Sequence, residues 1–268
     1  RLILPRLSGG LNRTLIVDNR PGANGVAGTV IASKANPDGY TLAVGNSGTH
    51  AINASLYRKL PYDPVRDFTP IIQMVTSGMV LVANPRVPGG SLKEFIGIAK
   101  GQPGKFNVGI AGATGELSGD ALWARMQLRM NNVRYKGSAP TELAILGGEV
   151  EVAMLTPLAV RQHIQSGRLK AFGITSAQRS PVLPEVPTIG EQGITGYDMQ
   201  IWHGMFAPRG TPDRVIRAVN KAAAQALNAP DVRARFSQLG FVIIANTPQQ
   251  FAAVVKSEVM NRDRKSVV

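Results

Sequence analysis

An α/β fold is what this sequence predicts, with open sheets covered by helices on both faces. Three observations predict it. From residue 92 to residue 175, short runs rich in Val, Ile and Leu alternate with amphipathic runs of helical length. Gly and Pro punctuate the junctions, and the turns between elements are short. Strand–helix alternation with short turns reads as parallel βαβ units, and such units build open α/β sheets.

Each element has its own signal. Thr14–Val17 reads as a short strand ended by Arg20-Pro21-Gly22, and the small-residue stretch Gly25–Ala35 as a helix after a glycine-rich turn. Tyr40–Val44 reads as a second strand closed by Gly45-Asn46-Ser47-Gly48, and Ile71–Ala83 as buried strand pairing. Ser91 is placed to cap a helix over Leu92–Ala99, with Glu94 in its first turn and Pro103-Gly104 beyond it. Strands are then expected at Asn107–Ile110, Val133–Tyr135, Val150–Leu155 and Leu169–Thr175, and helices at Leu117–Met130, Pro140–Leu146 and Ala159–Gln165. Pro181, Pro184 and Pro187 make an extended connection to a strand over Met199–Ala207. Pro212 opens a helix over Asp213–Leu227, a second helix covers Asp231–Leu239, Phe241–Ala245 is a strand, and Thr247 starts a last helix.

Composition bounds the function. A chain of 268 residues, 44% hydrophobic and 18% charged, buries a large core in one or two domains. No apolar run reaches the roughly 18 residues of a membrane span. The absence of cysteine excludes disulfides, thiolate metal sites and a cysteine nucleophile. Arg1-Leu2-Ile3-Leu4-Pro5 shows no signal-peptide pattern. The net charge of +13 is scattered, densest at Arg262-Asp263-Arg264-Lys265, and only 6% of residues are aromatic. Without clustered cations or a stacking platform, no nucleic-acid partner is expected. A basic surface instead raises encounter rates with anionic metabolites.

Catalytic and metal chemistry find no support. His50, His163 and His203 are far apart and fall in no metal-ligand spacing, and no Gly-x-Ser-x-Gly elbow occurs. Gly22-Ala23-Asn24-Gly25-Val26-Ala27-Gly28 matches neither phosphate-binding fingerprint and reads as close backbone packing. His163 is expected as a solvated residue on an exposed helix. For His50 and His203, pocket lining and core packing both stand; for Trp202, hinge packing and a pocket wall both stand. No catalytic residue, metal or cofactor is expected.

Three loops suit an anion, because backbone N–H groups at helix N-termini create positive potential without a cation. They are Gly45-Asn46-Ser47-Gly48-Thr49-His50, Ala111-Gly112-Ala113-Thr114-Gly115 and Gly137-Ser138-Ala139, each after a strand.

Several motifs, in order along nearly the whole chain, resemble one family. They are Val17-Asp18-Asn19-Arg20-Pro21-Gly22-Ala23-Asn24-Gly25, Asn36-Pro37-Asp38-Gly39-Tyr40-Thr41-Leu42 and Leu60-Pro61-Tyr62-Asp63-Pro64-Val65-Arg66-Asp67-Phe68. Tyr135-Lys136-Gly137-Ser138-Ala139-Pro140, Gly147-Gly148-Glu149-Val150, Leu183-Pro184-Glu185-Val186-Pro187-Thr188 and Trp202-His203-Gly204-Met205-Phe206-Ala207-Pro208 follow. Together they resemble the receptors of tripartite tricarboxylate transporters, the Bug family. That resemblance implies a type II periplasmic binding protein, with two α/β lobes and a ligand cleft between them. Lobe one is then 1–90 plus 208–268, and lobe two 91–207.

The same resemblance implies a monomeric extracytoplasmic receptor, not an enzyme, working in the periplasm. It would capture a small di- or tricarboxylate or aromatic acid and deliver it to integral-membrane transporter subunits. The ligand contacts carried over are Ser47, Thr49, Ala111, Gly112, Thr114, Tyr135, Gly137, Ser138, Thr156 and Trp202. Where some relatives place an Asp that pairs with an amino acid's ammonium, the matching position is Leu155, which favours a simple carboxylic acid. Two departures from the family pattern stand out: the chain opens inside what is usually a helix after a strand and glycine-rich loop, and residues 261–268 lack the usual Trp-containing tail. The alternative is a ligand-sensing domain of a regulator with the same fold, which would carry a DNA-binding helix pair. A small α/β enzyme would need a nucleophile–base pair that is not present.

Overall fold

A computed structural model describes residues 1–263, so the last part of the basic C-terminal cluster lies outside the described residues. The chain divides into two compact units. The first holds residues 1–76, 202–236 and 242 onward, and the second holds residues 77–201 and 237–241.

The second unit is built on a five-stranded sheet. Its strands are β3 (Val80–Ala83), β4 (Asn107–Ala111), β5 (Asn131–Tyr135), β6 (Val152–Leu155) and β7 (Lys170–Ile174), in the order β5-β4-β6-β3-β7. β4 runs parallel to β5 and to β6, whereas β3 is antiparallel to both β6 and β7. The sheet is therefore mixed, not the all-parallel sheet that alternation implies. β3 enters directly from a preceding strand without a crossover helix, so nothing turns it to lie parallel.

Both faces of this sheet are covered, and the alternation of side chains shows how. Leu81, Ala83, Val152 and Met154 point into one core with Phe95 of α4 (Leu92–Lys100) and Leu122 and Trp123 of α5 (Gly112–Met126). Val80, Val82, Ala153 and Leu155 point into the other, with Ala144 and Ile145 of α6 (Ser138–Gly147) and Val160 of α7 (Pro157–Gln165). Because successive residues face opposite sides of a strand, β3 and β6 must be apolar throughout to sit between two helix layers.

The first unit has a four-stranded sheet in the order β1-β8-β2-β9. β1 (Ala43–Asn46) is antiparallel to β8 (Gln200–Pro208), and β2 (Phe68–Gly78) is antiparallel to β9 (Val242–Ile243). α1 (Leu4–Leu11), α2 (Val26–Ser33), α8 (Asp213–Asn228), α9 (Pro230–Gln238) and α10 (Pro248–Asp263) complete it. Its core is aromatic: Tyr62, Phe68, Trp202, Phe206 and Phe251 pack together.

Three expected elements move. Thr14–Val17 is not a strand; Ile16 is 90% exposed, and no strand among the described residues pairs with it. A lone strand has no hydrogen-bond partner, and propensity alone does not hold it extended. β1 starts three residues late because Asp38 closes a turn on the Tyr40 N–H at 2.9 Å, leaving Tyr40 exposed. α5 begins at Gly112, not Leu117, because Gly112 takes φ +78° and lets the chain turn from strand into helix within one residue.

Candidate functional site

The second unit gathers most of the expected contacts on one edge of its sheet. Ala111 and Tyr135, the last residues of β4 and β5, lie opposite each other in the ladder. The β4–β6 register pairs Gly109 with Ala153, which brings the end of β6 at Leu155 to that same edge. Each of these three neighbouring strands leads into a helix, and α5, α6 and α7 all start there. Of the expected contacts, Ala111, Gly112, Thr114, Tyr135, Gly137, Ser138 and Thr156 are thus assembled at the carboxyl ends of adjacent strands. In open α/β sheets this is where ligands bind.

The ends of these helices differ from an ordinary capped helix. None of the N-caps Ala111, Gly137 and Thr156 makes a side-chain capping bond, and none of the three first turns carries an acidic residue. α4 supplies the contrast. It follows β3, which runs the other way, so it starts from the opposite edge of the sheet. There Ser91 Oγ accepts the Glu94 N–H at 3.2 Å, and Glu94 Oε2 accepts the Gly90 N–H at 2.8 Å. The first N–H groups of a helix lack intrahelical partners and carry its positive dipole end. At the far edge a side chain caps one of these groups, whereas at the near edge no side chain caps them. Pro140 and Pro157 carry no N–H, and the Ala159 N–H bonds the Thr156 carbonyl at 3.1 Å, so α5 and the Ser138-Ala139 start of α6 offer more donors to an anion than α7 does.

At this edge Lys136 is exposed beside Gly137, while Tyr135 and Arg134 are engaged by carboxylates. Tyr135 reaches Glu149 at 3.4 Å, and burial, then the nearby Glu149 carboxylate, pushes its hydroxyl pKa up, so it stays protonated. Arg134 pairs with Glu116. Leu155 is fully buried in the core face with Val80 and Val160. Thr156, one residue on, is half-buried. Among the described residues no group of three or more His, Cys, Asp or Glu is placed to hold a metal.

The first unit carries the other expected contacts, Ser47, Thr49 and Trp202. Ser47 follows β1 directly and is fully buried, and its Oγ has no partner among the described residues. Thr49 is absorbed by the turn: its N–H donates to Asn46 Oδ1 at 2.9 Å, and its Oγ1 accepts the Asn46 N–H at 3.0 Å. A π-helical turn, Gly48–Ile52, runs into α3 (Asn53–Leu56). Trp202 is buried to 1% exposure, edge-on to Phe251 at 5.2 Å, and its indole Nε1 has no partner among the described residues.

The histidines sort by packing. His50 is fully buried, stacked on Phe206 with its Nδ1 2.9 Å from Thr49 Oγ1, and desolvation lowers its pKa to about 3. His163 corrects the expectation of a solvated residue: its side chain is 12% exposed and lies 2.7 Å from Glu142, joining α7 to α6. The Gly22–Gly25 turn is close packing as expected; a Cβ on Gly25 would meet Thr49 Cγ2 at 2.6 Å. Two residues that sequence reasoning passed over, Asn53 and Tyr62, bind the Ser47 turn from behind: the Tyr62 hydroxyl donates to the Thr49 carbonyl at 2.6 Å. No spacing rule flags them, because they act through the fold.

A sequence model of the tripartite tricarboxylate transporter family receptor matches residues 1–267. The chain belongs to that receptor family. Among curated relatives, the protein of the tcbD–tcbE intergenic region of a Pseudomonas species is 33% identical, over 96% of this chain and 77% of its own length. BugT of Bordetella pertussis is 32% identical, over 97% of this chain and 80% of its own. Solved structures agree. An R. palustris protein with adipate superposes with TM-score 0.89 at 30% identity, covering 98% of this chain and 89% of that one. MatC of Rhodopseudomonas palustris with bound malate gives TM-score 0.87 at 31% identity, covering 98% and 92%. These relatives are two-lobed α/β periplasmic binding proteins, and the receptor has that fold. It is a binding protein and not an enzyme, and no helix among its described residues is long and apolar enough to cross a membrane.

Proposed function

We propose that this receptor binds a small carboxylate in the periplasm and presents it to the membrane subunits of a tripartite tricarboxylate transporter. The observation that carries the reading is the set of three uncapped helix N-termini at the carboxyl ends of β4, β5 and β6. Backbone N–H groups and helix dipoles favour a carboxylate without a buried cation, so the ligand needs no basic partner there. Malate and adipate in two structural relatives support the same class.

Ala111, Gly112, Thr114, Tyr135, Gly137, Ser138 and Thr156 are proposed as the anchor in the second unit, and Ser47, Thr49 and Trp202 as ligand contacts in the first. Leu155 offers no charge to an ammonium group, and an unpaired buried ammonium is costly. The proposed ligand is therefore a di- or tricarboxylate or an aromatic acid and not an amino acid, and the receptor is proposed to work as a monomer.

A thermal-shift screen tests this, with succinate, malate, adipate, citrate, benzoate, aspartate, glutamate and nucleotides. At 100 times its dissociation constant a ligand stabilises the folded state by about 2.7 kcal/mol. Shifts confined to carboxylic acids support the reading. A preference for aspartate or glutamate over succinate removes the Leu155 argument, and a shift with nucleotides alone overturns the assignment. Transporter partnership is read separately, as uptake by cells carrying the membrane subunits with and without this receptor.

A further inference from the structure

Tyr62 sits behind the turn that carries Ser47, and we propose that its hydroxyl is a positioning group that holds this turn in a π-helical register competent for ligand binding. The inference rests on the reading that Ser47 contacts ligand. In an α-helix the Asn53 N–H would bond to the Thr49 carbonyl, four residues back. Here it bonds to the Gly48 carbonyl, five residues back. The Thr49 carbonyl is taken by the Tyr62 hydroxyl at 2.6 Å.

These two bonds are alternatives to a single α-helical one. A buried carbonyl left without a donor is destabilising, so the wider register persists only because a donor from elsewhere replaces the Asn53 N–H. Tyr62 is well placed to be that donor. It is 5% exposed, its ring is edge-on to Phe68, and its oxygen accepts Asn53 Nδ2 at 3.3 Å. The same Asn53 Nδ2 is 3.2 Å from the Asn24 carbonyl, which ties the register to the Gly22–Gly25 turn. One extra residue in a helical turn re-aims everything before it, and single π-turns concentrate at functional sites. What lies before it is Ser47, whose buried Oγ has no partner among the described residues.

Tyr62→Phe keeps the ring and deletes only the hydroxyl. Tyr57→Phe is the control, since the Tyr57 hydroxyl contacts Asn24 and the Ala23 carbonyl, outside the 48–53 turn. Two quantities are measured: amide hydrogen exchange of residues 48–53 without ligand, and calorimetric affinity for succinate, malate and adipate. For Tyr62→Phe, exchange in this segment changes, and affinity for whichever acid the wild type binds falls about five- to ten-fold, the worth of one hydrogen bond. Loss of the bond lowers the melting temperature somewhat, so affinity is compared at a temperature where both proteins are fully folded, and Tyr57→Phe alters neither quantity.

Unchanged exchange overturns the register assignment. Altered exchange with unchanged affinity overturns the positioning role. A wild type that binds none of the acids overturns the carboxylate reading and the positioning role with it, while the register assignment is still decided by the exchange data.

Discussion

The imidazole of His50 lies flat against the ring of Phe206, with centroids 3.8 Å apart and planes inclined by 11°. Phe68 meets the same imidazole edge-on at 4.7 Å. An imidazole held between aromatic rings loses the water that would solvate its charge, which is why desolvation brings its pKa down to about 3.

The first prediction is an acid-dependent loss of stability traceable to His50. The folded pKa lies below the unfolded value of 6.5, so at pH values between them the unfolded chain takes up a proton that the folded chain refuses. The contribution is fully present above pH 6.5 and is lost as pH falls from 6.5 towards 3, with a slope approaching about 1.4 kcal/mol per pH unit. Urea unfolding between pH 7.5 and 4.5 reads it. His50→Phe, which keeps the stack, should lower that slope by one proton relative to wild type.

Glycines on the paired strands β1 and β8 make room for these rings. A Cβ on Gly45 would meet His50 Nδ1 at 2.3 Å, and one on Gly204 would meet Phe251 Cζ at 2.2 Å and the Ile72 carbonyl at 2.9 Å. Gly45 and Gly204 face each other in the ladder. Neither position has a left-handed backbone, so the expected cost of alanine is overpacking, about 1–3 kcal/mol. Gly204→Ala should be the worse of the two, because its clash includes backbone. Denaturant midpoints compare them.

Ser138→Asp separates anion binding from helix stability. Ser138 opens α6 and is exposed. A carboxylate at this first turn stabilises the helix dipole by about 0.3–1 kcal/mol, and the same charge repels a bound carboxylate. The melting temperature should hold or rise while carboxylate affinity falls at least ten-fold. A variant that keeps wild-type affinity would remove α6 from the proposed anchor.

At the opposite edge of the sheet, Ser91→Ala should cost about 1 kcal/mol by removing the N-cap of α4. Ligand affinity should not change, because α4 does not start at the proposed site. Equal losses of stability and affinity would contradict the division of roles between the two edges.

Leu155→Asp should destabilise the second unit by several kcal/mol, since the side chain is fully buried among Val80, Val160, Ile174 and Leu183. Gain of amino-acid binding with unchanged stability would show that this side chain faces ligand.

Much of the architecture was legible in residue order. Ser91 and Glu94 identify the start of α4, Pro212 the start of α8, and the apolar runs Val80–Ala83 and Val152–Leu155 the buried strands. The glycine-bearing segments 111–115 and 137–139 were legible as helix entrances at strand ends. Illegible were the antiparallel placement of β3, the unpaired state of Thr14–Val17, the pairing of His163 with Glu142, and the bond from Tyr62 to Thr49. Each depends on a partner distant in sequence, and periodicity reports only what lies within one element.

By itself the sequence determined the class of fold and the family. The fold class follows from local patterns, namely apolar spacing, caps, and glycines where a strand must turn into a helix, and the family from the ordered motifs between Val17 and Pro208. Only the tertiary structure decided which helix N-termini share an edge, which of them are capped, and which register the Ser47 turn adopts. The reason is physical. Anion binding by backbone depends on the convergence of several N–H groups, and the register depends on which donor reaches the Thr49 carbonyl; both are set by non-local packing.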